Sequence, residues 1–114
     1  MLSPIPIVLA RAQVMRLLLA EASISDDRGD AAVTLTCLVD ETTQRFATVL
    51  TANRVITLAT AGAYRGAWFR VVRTGLGAFT LDVGGLKTIP SATAAYVDVQ
   101  FDGTAWRLTG YGTL

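Results

Sequence analysis

The sequence predicts an all-β fold, a small antiparallel β-sandwich or barrel with a short N-terminal helix or extended arm. Two observations carry this prediction. From Ala32 onward, runs rich in Val, Thr, Leu and aromatic residues alternate with turn signals at short intervals, a pattern typical of short strands. Helical and strand patterns do not alternate along the chain, so we expect no parallel sheet.

Composition bounds the class of protein and its partners. The 114 residues fit one domain. Hydrophobic residues make up 52% and charged residues only 17% of the chain, against a usual charged share of about 25%, which predicts an oligomer or a docked subunit. The net charge is +1 and the arginines form no run, so no nucleic-acid partner is expected.

Residues 1–31 form the first of two predicted regions, an apolar helix or arm followed by a linker, and residues 32–114 form the β domain. The apolar segment contains many good helix formers, and Pro4 and Pro6 fall where an initial turn tolerates proline. It either covers an open face of the β domain or docks on other subunits. The predicted docking residues are Ile5, Ile7, Val8, Leu9, Met15, Leu18 and Leu19.

Arg11 and Arg16 interrupt this apolar segment. A membrane span needs about 20 apolar residues with few charges, and a secretory signal carries its charge before the apolar run. No membrane role is therefore predicted. Residues 23–30 contain three aspartates but lack the spacing and flanking helices of a calcium loop, so we predict a solvated polar turn there.

Eight strands are predicted in the β domain. They fall near residues 33–38, 44–50, 54–58, 67–73, 78–83, 86–89, 95–101 and 104–109. The last two are predicted to form a hairpin, because Asp102-Gly103 suits a two-residue turn with positive φ at both positions. That turn would place Asp98 opposite Arg107 on the polar face of the hairpin.

A second hairpin is predicted around the tripeptide Gly75-Leu76-Gly77. A three-residue loop there pairs Val71 with Leu81 on an apolar face. It also places Arg70 opposite Asp82, so that an apolar pair and an opposite-charge pair support the same register.

The chain offers little catalytic chemistry. It has no histidine and a single cysteine, Cys37, which we expect to be a buried small hydrophobe because a thiol nucleophile needs a partner base. No carboxylate dyad or phosphate-binding glycine loop is recognisable. The sequence predicts no catalytic, cofactor-binding or metal site, and therefore no enzyme.

Four aromatic residues are predicted on or near the face opposite the apolar one: Tyr64, Trp68, Tyr96 and Tyr111. Exposed aromatic side chains on a sheet can contact a sugar or a partner surface. They can also fill a second core layer at an interface between sheets or subunits. Both interpretations remain open at this point.

Residues 44–114 resemble a β-rich domain that recurs in virion proteins of tailed bacteriophages and in prophages. The motifs that carry the resemblance are NRVITL, GAYRGAWFRVVRTGLGAFTLDVG and AYVDVQFDGTAWRLTGYGTL. In that family the domain ends tail-fibre or spike proteins and also occurs in short head or decoration proteins. The resemblance implies a structural role in the virion, without fixing the position on the particle.

We expect a capsid decoration (cement) protein that docks on the shell and stabilises it. Its partner would be the major capsid protein or another virion protein, and it would be a homotrimer, made in the host cytoplasm and located on the capsid surface. The alternative is a tail-fibre or spike tip module that binds a host surface glycan. We expect the chain to be complete and to lack a stalk, which favours decoration.

Overall fold

The structure, a computed structural model, describes residues 23–114, and within them every regular element is a β-strand. Nine strands are present in this part of the chain. They are β1 Ile24–Asp27, β2 Val33–Leu35, β3 Thr43–Phe46, β4 Arg54–Leu58, β5 Trp68–Arg73, β6 Leu81–Val83, β7 Lys87–Ile89, β8 Ala95–Phe101 and β9 Trp106–Thr113.

The first six strands alternate between two sheets. Sheet A has the order β1-β3-β5-β8-β9, and sheet B has the order β2-β4-β6-β7. Within sheet A, β1, β3 and β5 are parallel neighbours, and within sheet B the same holds for β2, β4 and β6. Each odd strand and the even strand after it therefore form one coil: coil 1 contains β1 and β2, coil 2 contains β3 and β4, and coil 3 contains β5 and β6. The three coils stack as a short β-solenoid.

The last three strands close the stack by reversing direction. Strand β7 pairs antiparallel with β6 in sheet B. The chain then crosses to sheet A, where β8 pairs antiparallel with β5 and β9 with β8. These strands form a cap on coil 3, and β9 becomes the outer edge of sheet A.

The core lies between the two sheets, because alternate side chains of each strand point inward. The fully buried apolar side chains include Leu35, Phe46, Ile56, Val71, Leu81, Val83 and Val99. Trp106 closes one end of this core, with its ring centroid 5.3 Å from that of Phe101. Its indole N–H donates to the carbonyl of Ala59 at 3.2 Å, so the cap is tied to the loop after β4.

Arg73 is fully buried, in register with Phe46 of the preceding coil. Its guanidinium donates to three backbone carbonyls, those of Gly75 at 3.0 Å, Phe79 at 2.7 Å and Pro90 at 3.1 Å. Burial lowers the pKa of Arg73, but a guanidinium stays protonated in proteins. The buried cation thus holds the β5–β6 connection and the end of β7 together.

Side chains in the turns bind one coil to the next. Asp27 accepts the amide hydrogen of Ala47 at 2.9 Å and the hydroxyl of Thr48. Asp30 accepts the amide of Thr51 at 3.1 Å and also the Thr51 hydroxyl. Asn53 plays the same part between the second and third coils, because its side-chain oxygen accepts a backbone amide hydrogen from the turn before β6.

The prediction of an all-β fold is confirmed, whereas the antiparallel sandwich or barrel is not. Both sheets are mixed and neither closes into a barrel. Parallel strands need a crossover connection, and the expectation against them assumed that this crossover would be a helix. Here each crossover is instead a strand of the opposite sheet.

The hairpin predicted around Gly75-Leu76-Gly77 is wrong for this reason. Strands β5 and β6 lie in different sheets, so Arg70 does not face Asp82 but pairs with Asp98 of β8. Gly75 is needed for a different purpose. A Cβ atom there would lie 2.4 Å from the carbonyl oxygen of Thr48, so only glycine lets the two coils approach.

The hairpin between β8 and β9 exists, but its register is shifted by two residues from the predicted one. Phe101 pairs with Trp106, and Asp98 lies opposite Gly110 rather than Arg107. The carboxylate of Asp102 accepts the amide hydrogens of two following residues at 2.8 Å, which widens the turn. The shift of two keeps residues 106–108 on their predicted face, whereas a bulge after Leu108 adds a third residue to the shift and reverses the faces beyond it.

The predicted polar turn at residues 23–30 contains strand β1, which pairs with β3. Of its three aspartates, Asp27 and Asp30 accept hydrogen bonds from the turn that follows β3. The predicted helix or arm at residues 1–22 lies outside the described residues. Between residues 23 and 114, no helix is long and apolar enough to cross a membrane.

Replacing Arg73 by Met should lower the free energy of unfolding by about 3 kcal/mol, because three carbonyls lose a charged donor. Arg107→Met is the matched control, since Arg107 is largely exposed and pairs only with Asp102; its loss should be under about 1 kcal/mol. Urea unfolding of both variants checks this. Equal losses in the two variants would contradict the role given to Arg73.

Acid should weaken the contact between coils 1 and 2. The pKa of Asp27 is lowered from 3.8 to about 2, chiefly by the Thr48 hydroxyl, and that of Asp30 to about 2, chiefly by Arg54. Carboxylates with a lower pKa in the folded state stabilise it above the unfolded-state pKa and lose this effect as pH falls. The urea midpoint should therefore drop between about pH 4 and pH 2.

The double variant Asp27→Asn/Asp30→Asn should show a smaller drop over the same pH range, although it starts from a lower midpoint. Asp26→Asn is the control, because the exposed Asp26 carboxylate accepts no hydrogen bond from the described residues. If the double variant loses stability with acid as steeply as the parent chain, these two carboxylates do not link the coils.

Candidate functional site

The four aromatic residues singled out from the sequence do not share one face. Trp68 and Tyr96 lie on the outer face of sheet A, alternating with buried residues of β5 and β8. Tyr64 precedes β5 and is 41% exposed, close to the 45% of Trp68. Tyr111 pairs with the buried Val97 and so points to the inner side of sheet A.

Tyr111 is 57% exposed although it lies on the inner side. Sheet A has five strands and sheet B has four, so the edge strand β9 extends past the cover that sheet B provides. The ammonium group of Lys87 lies 4.0 Å from the centre of the Tyr111 ring. The prediction that Tyr111 lies on the outer face is therefore wrong, because a bulge in β9 shifts the alternation after Leu108.

Arg70 and Asp98 form the polar centre of the outer face. The guanidinium donates two hydrogen bonds to the carboxylate, at 2.7 and 2.9 Å, and these bonds raise the pKa of Arg70. Its Cζ atom also lies 5.0 Å from the centre of the Tyr96 ring. A bidentate pair that also stacks on an aromatic ring holds the guanidinium in one plane.

Tyr96 is half-buried, and its ring lies next to the backbone of β9 at Gly112. A Cβ atom at Gly112 would come within 3.0 Å of this ring. The glycine therefore provides the space in which Tyr96 rests, and Tyr96 in turn covers the strand. This arrangement leaves Tyr96 in a supporting position beneath Arg70, and Trp68 as the prominent exposed ring of the face.

Two depressions flank Trp68, and we call them together the Trp68 groove. One has a volume of about 270 Å³ and the other of about 400 Å³. The first is lined by Cys37, Leu38, Asp40, Thr42, Tyr64, Arg65 and residues 66–69. The second is lined by Thr43, Trp68, Arg70, Asp98, Val99, Gln100 and Thr109.

Cys37 contributes to the floor of the first depression. It is buried, as the sequence predicted, and desolvation raises the pKa of its thiol. A neutral buried thiol is a poor nucleophile. Among residues 23–114, no three His, Cys, Asp or Glu side chains lie close enough together to hold a metal ion.

The sequence pointed to Trp68 and Tyr64 but missed the polar half of the groove. The sequence predicts other partners for Arg70 and Asp98, namely Asp82 and Arg107, and gives no signal for Arg65 or Gln100. Period-two alternation places Arg70, Asp98 and Gln100 on one face once β5 and β8 are known to be neighbours. The predicted docking residues Ile5, Ile7, Val8, Leu9, Met15, Leu18 and Leu19 lie outside the described residues.

The groove brings a charged pair and an exposed indole side by side. Its one carboxylate–guanidinium pair is mutually satisfied, and planar polar groups beside an exposed indole suit a ligand that offers both hydroxyls and apolar faces. No protein-family model, curated protein or solved structure matches the chain.

Proposed function

We propose that the chain is a structural virion protein of a tailed bacteriophage, without enzymatic activity, that decorates the capsid. The supporting observation is what its polar side chains do. Asp27, Asp30, Asp102 and Arg73 are each engaged in hydrogen bonds that hold turns or coils together. Together with the resemblance of residues 44–114 to virion domains, these hydrogen bonds favour a structural protein over an enzyme.

In this role the β domain would stand on the shell as a homotrimer. The apolar segment of residues 1–22 would contact the major capsid protein, or another virion protein, across capsomer boundaries. Burial of apolar surface contributes about 25 cal/mol per Å², and many equivalent sites on a shell make a modest affinity per site sufficient. The virion would then be the site of action, and the host cytoplasm the site of synthesis.

A second candidate is a receptor-binding module at a fibre or spike tip. The Trp68 groove favours it, since an exposed indole lies between two depressions whose walls carry fixed hydrogen-bonding groups. Such a module would bind a host surface glycan. Its partner, the host surface, differs from that of a decoration protein, so the two candidates can be separated by experiment.

The full chain should bind purified empty capsids of its phage at micromolar concentration. The double variant Leu9→Asp/Leu18→Asp should lose at least about tenfold in affinity, because it places two charges in the docking segment. Co-sedimentation with capsids measures both. Val55→Asp is the control: Val55 is 49% exposed on the outside of sheet B and should bind as the parent chain does.

Two outcomes would contradict the decoration role. One is the absence of capsid binding by the parent chain. The other is an equal loss of binding in Val55→Asp and in the docking-segment variant, which would place the contact elsewhere. Circular dichroism of each variant shows whether its β domain is still folded.

A further inference from the structure

Trp68 lines both depressions, so the two lie on either side of one ring, and we call this path over the indole the track. Its ring is 45% exposed, and the residue contributes to the lining on either side. Tyr64 borders the first depression and Gln100 the second, where the Gln100 amide also contacts the carbonyl of Gly66 at 3.4 Å. A ligand that fills both depressions must be elongated and must pass over the indole.

The charges along this track are unequally compensated. Four charged side chains line it: Asp40, Arg65, Arg70 and Asp98. Arg70 and Asp98 neutralise each other. Asp40 lies 3.7 Å from Arg28 and accepts the amide of Thr36 at 2.8 Å.

Arg65 is the remaining charge. It is exposed, and no carboxylate among residues 23–114 lies within ion-pair distance of it. Its aliphatic stem packs beside Gly103, where a Cβ atom would lie 3.7 to 3.9 Å from three carbons of the arginine. A supported stem with an uncompensated guanidinium suits a ligand carboxylate.

We propose that the Trp68 groove binds an acidic oligosaccharide of at least two sugar rings. The apolar faces of the rings contact Trp68 and Tyr64. Sugar hydroxyls meet the Arg70–Asp98 pair and Gln100 in the second depression, and the carboxylate of a sugar acid meets Arg65 in the first. The inference rests on the glycan-binding candidate given above and adds to it the ligand's charge, minimum length and orientation.

The fixed geometry of the groove favours a small polar polymer over a protein surface. Ligand pockets commonly measure about 300 to 1,000 Å³, and the two depressions together fall in that range. The guanidinium plane of Arg70 is already held by Asp98 and Tyr96. Groups that are ordered before binding lose little entropy on binding. This matters for a flexible sugar chain, because each of its contacts with a protein is weak.

The test uses the full chain and acidic oligomers of three chemistries: oligogalacturonate, alginate oligomers and oligosialic acid, each as monomer, dimer and tetramer. Neutral cello-oligomers of the same lengths serve as comparison. Titration followed by nuclear magnetic resonance should show shifts at the Trp68 indole and at the other residues of the groove, with no shifts elsewhere. We expect at least one acidic dimer or tetramer to bind, and its monomer to bind far more weakly.

Variants assign the parts of the site. Trp68→Ala should weaken binding by about tenfold or more, as loss of a central aromatic contact does. Arg65→Gln should lower the affinity for acidic oligomers by about threefold, and this difference should disappear at high salt. Tyr111→Ala and Lys87→Gln are the controls, because both residues are on the other side of sheet A; neither should change binding.

The outcomes separate this inference from the proposals it follows. If neutral and acidic oligomers bind equally well, and Arg65→Gln changes neither, the ligand is not selected for its negative charge. The groove would then still bind glycans, but the proposed acidic ligand would be overturned. Failure of all oligomers overturns both the inference and the glycan-binding candidate. A change of oligomeric state in Trp68→Ala, measured by analytical ultracentrifugation, would show that the groove faces another copy of the chain and would likewise overturn the inference. Capsid binding is measured separately and decides the decoration role alone.

Discussion

The in-register stacking of one coil on the next is the constraint on which the rest of the molecule depends. In a parallel stack, the strands of each coil bond to those of its neighbours. The core is formed by the inward side chains of successive coils, so that Phe46 lies against Arg73 and Ile56 against Val83. The cap strands β7, β8 and β9 end the stack, and the pairing of β8 with β5 creates the outer face that carries Trp68.

Much of the strand content could be predicted from local pattern, because alternation marks a half-buried strand whatever its neighbours are. Strands β4 and β8 have the predicted bounds, and β5 begins one residue later than predicted. Pairing could not be predicted the same way. An apolar face and a polar face look alike in parallel and antiparallel strands, and Arg70 had two plausible carboxylate partners at equivalent positions, Asp82 and Asp98. Only the crossover between sheets distinguishes them.

The candidate site illustrates the same limit. Exposed aromatic residues can be recognised in a sequence by their place in the alternation, which is how Trp68 and Tyr64 were found. The side chains that give the groove its chemistry come from separate strands, so their proximity depends on the strand order. Tyr111 was misplaced because a bulge inverts the alternation over the last residues of β9, and single-residue insertions of this kind leave no clear trace in the sequence.

The parallel register of the coils can be tested most directly by nuclear Overhauser contacts between backbone protons of the full chain. The parallel register predicts that Val71 contacts Gln44 of β3 on one side and Val97 of β8 on the other. It predicts no backbone contact between Val71 and Leu81, which lie in different sheets. A ladder of contacts joining β5 directly to β6 would show a simple hairpin there, and would contradict both the solenoid and the groove that is built on it.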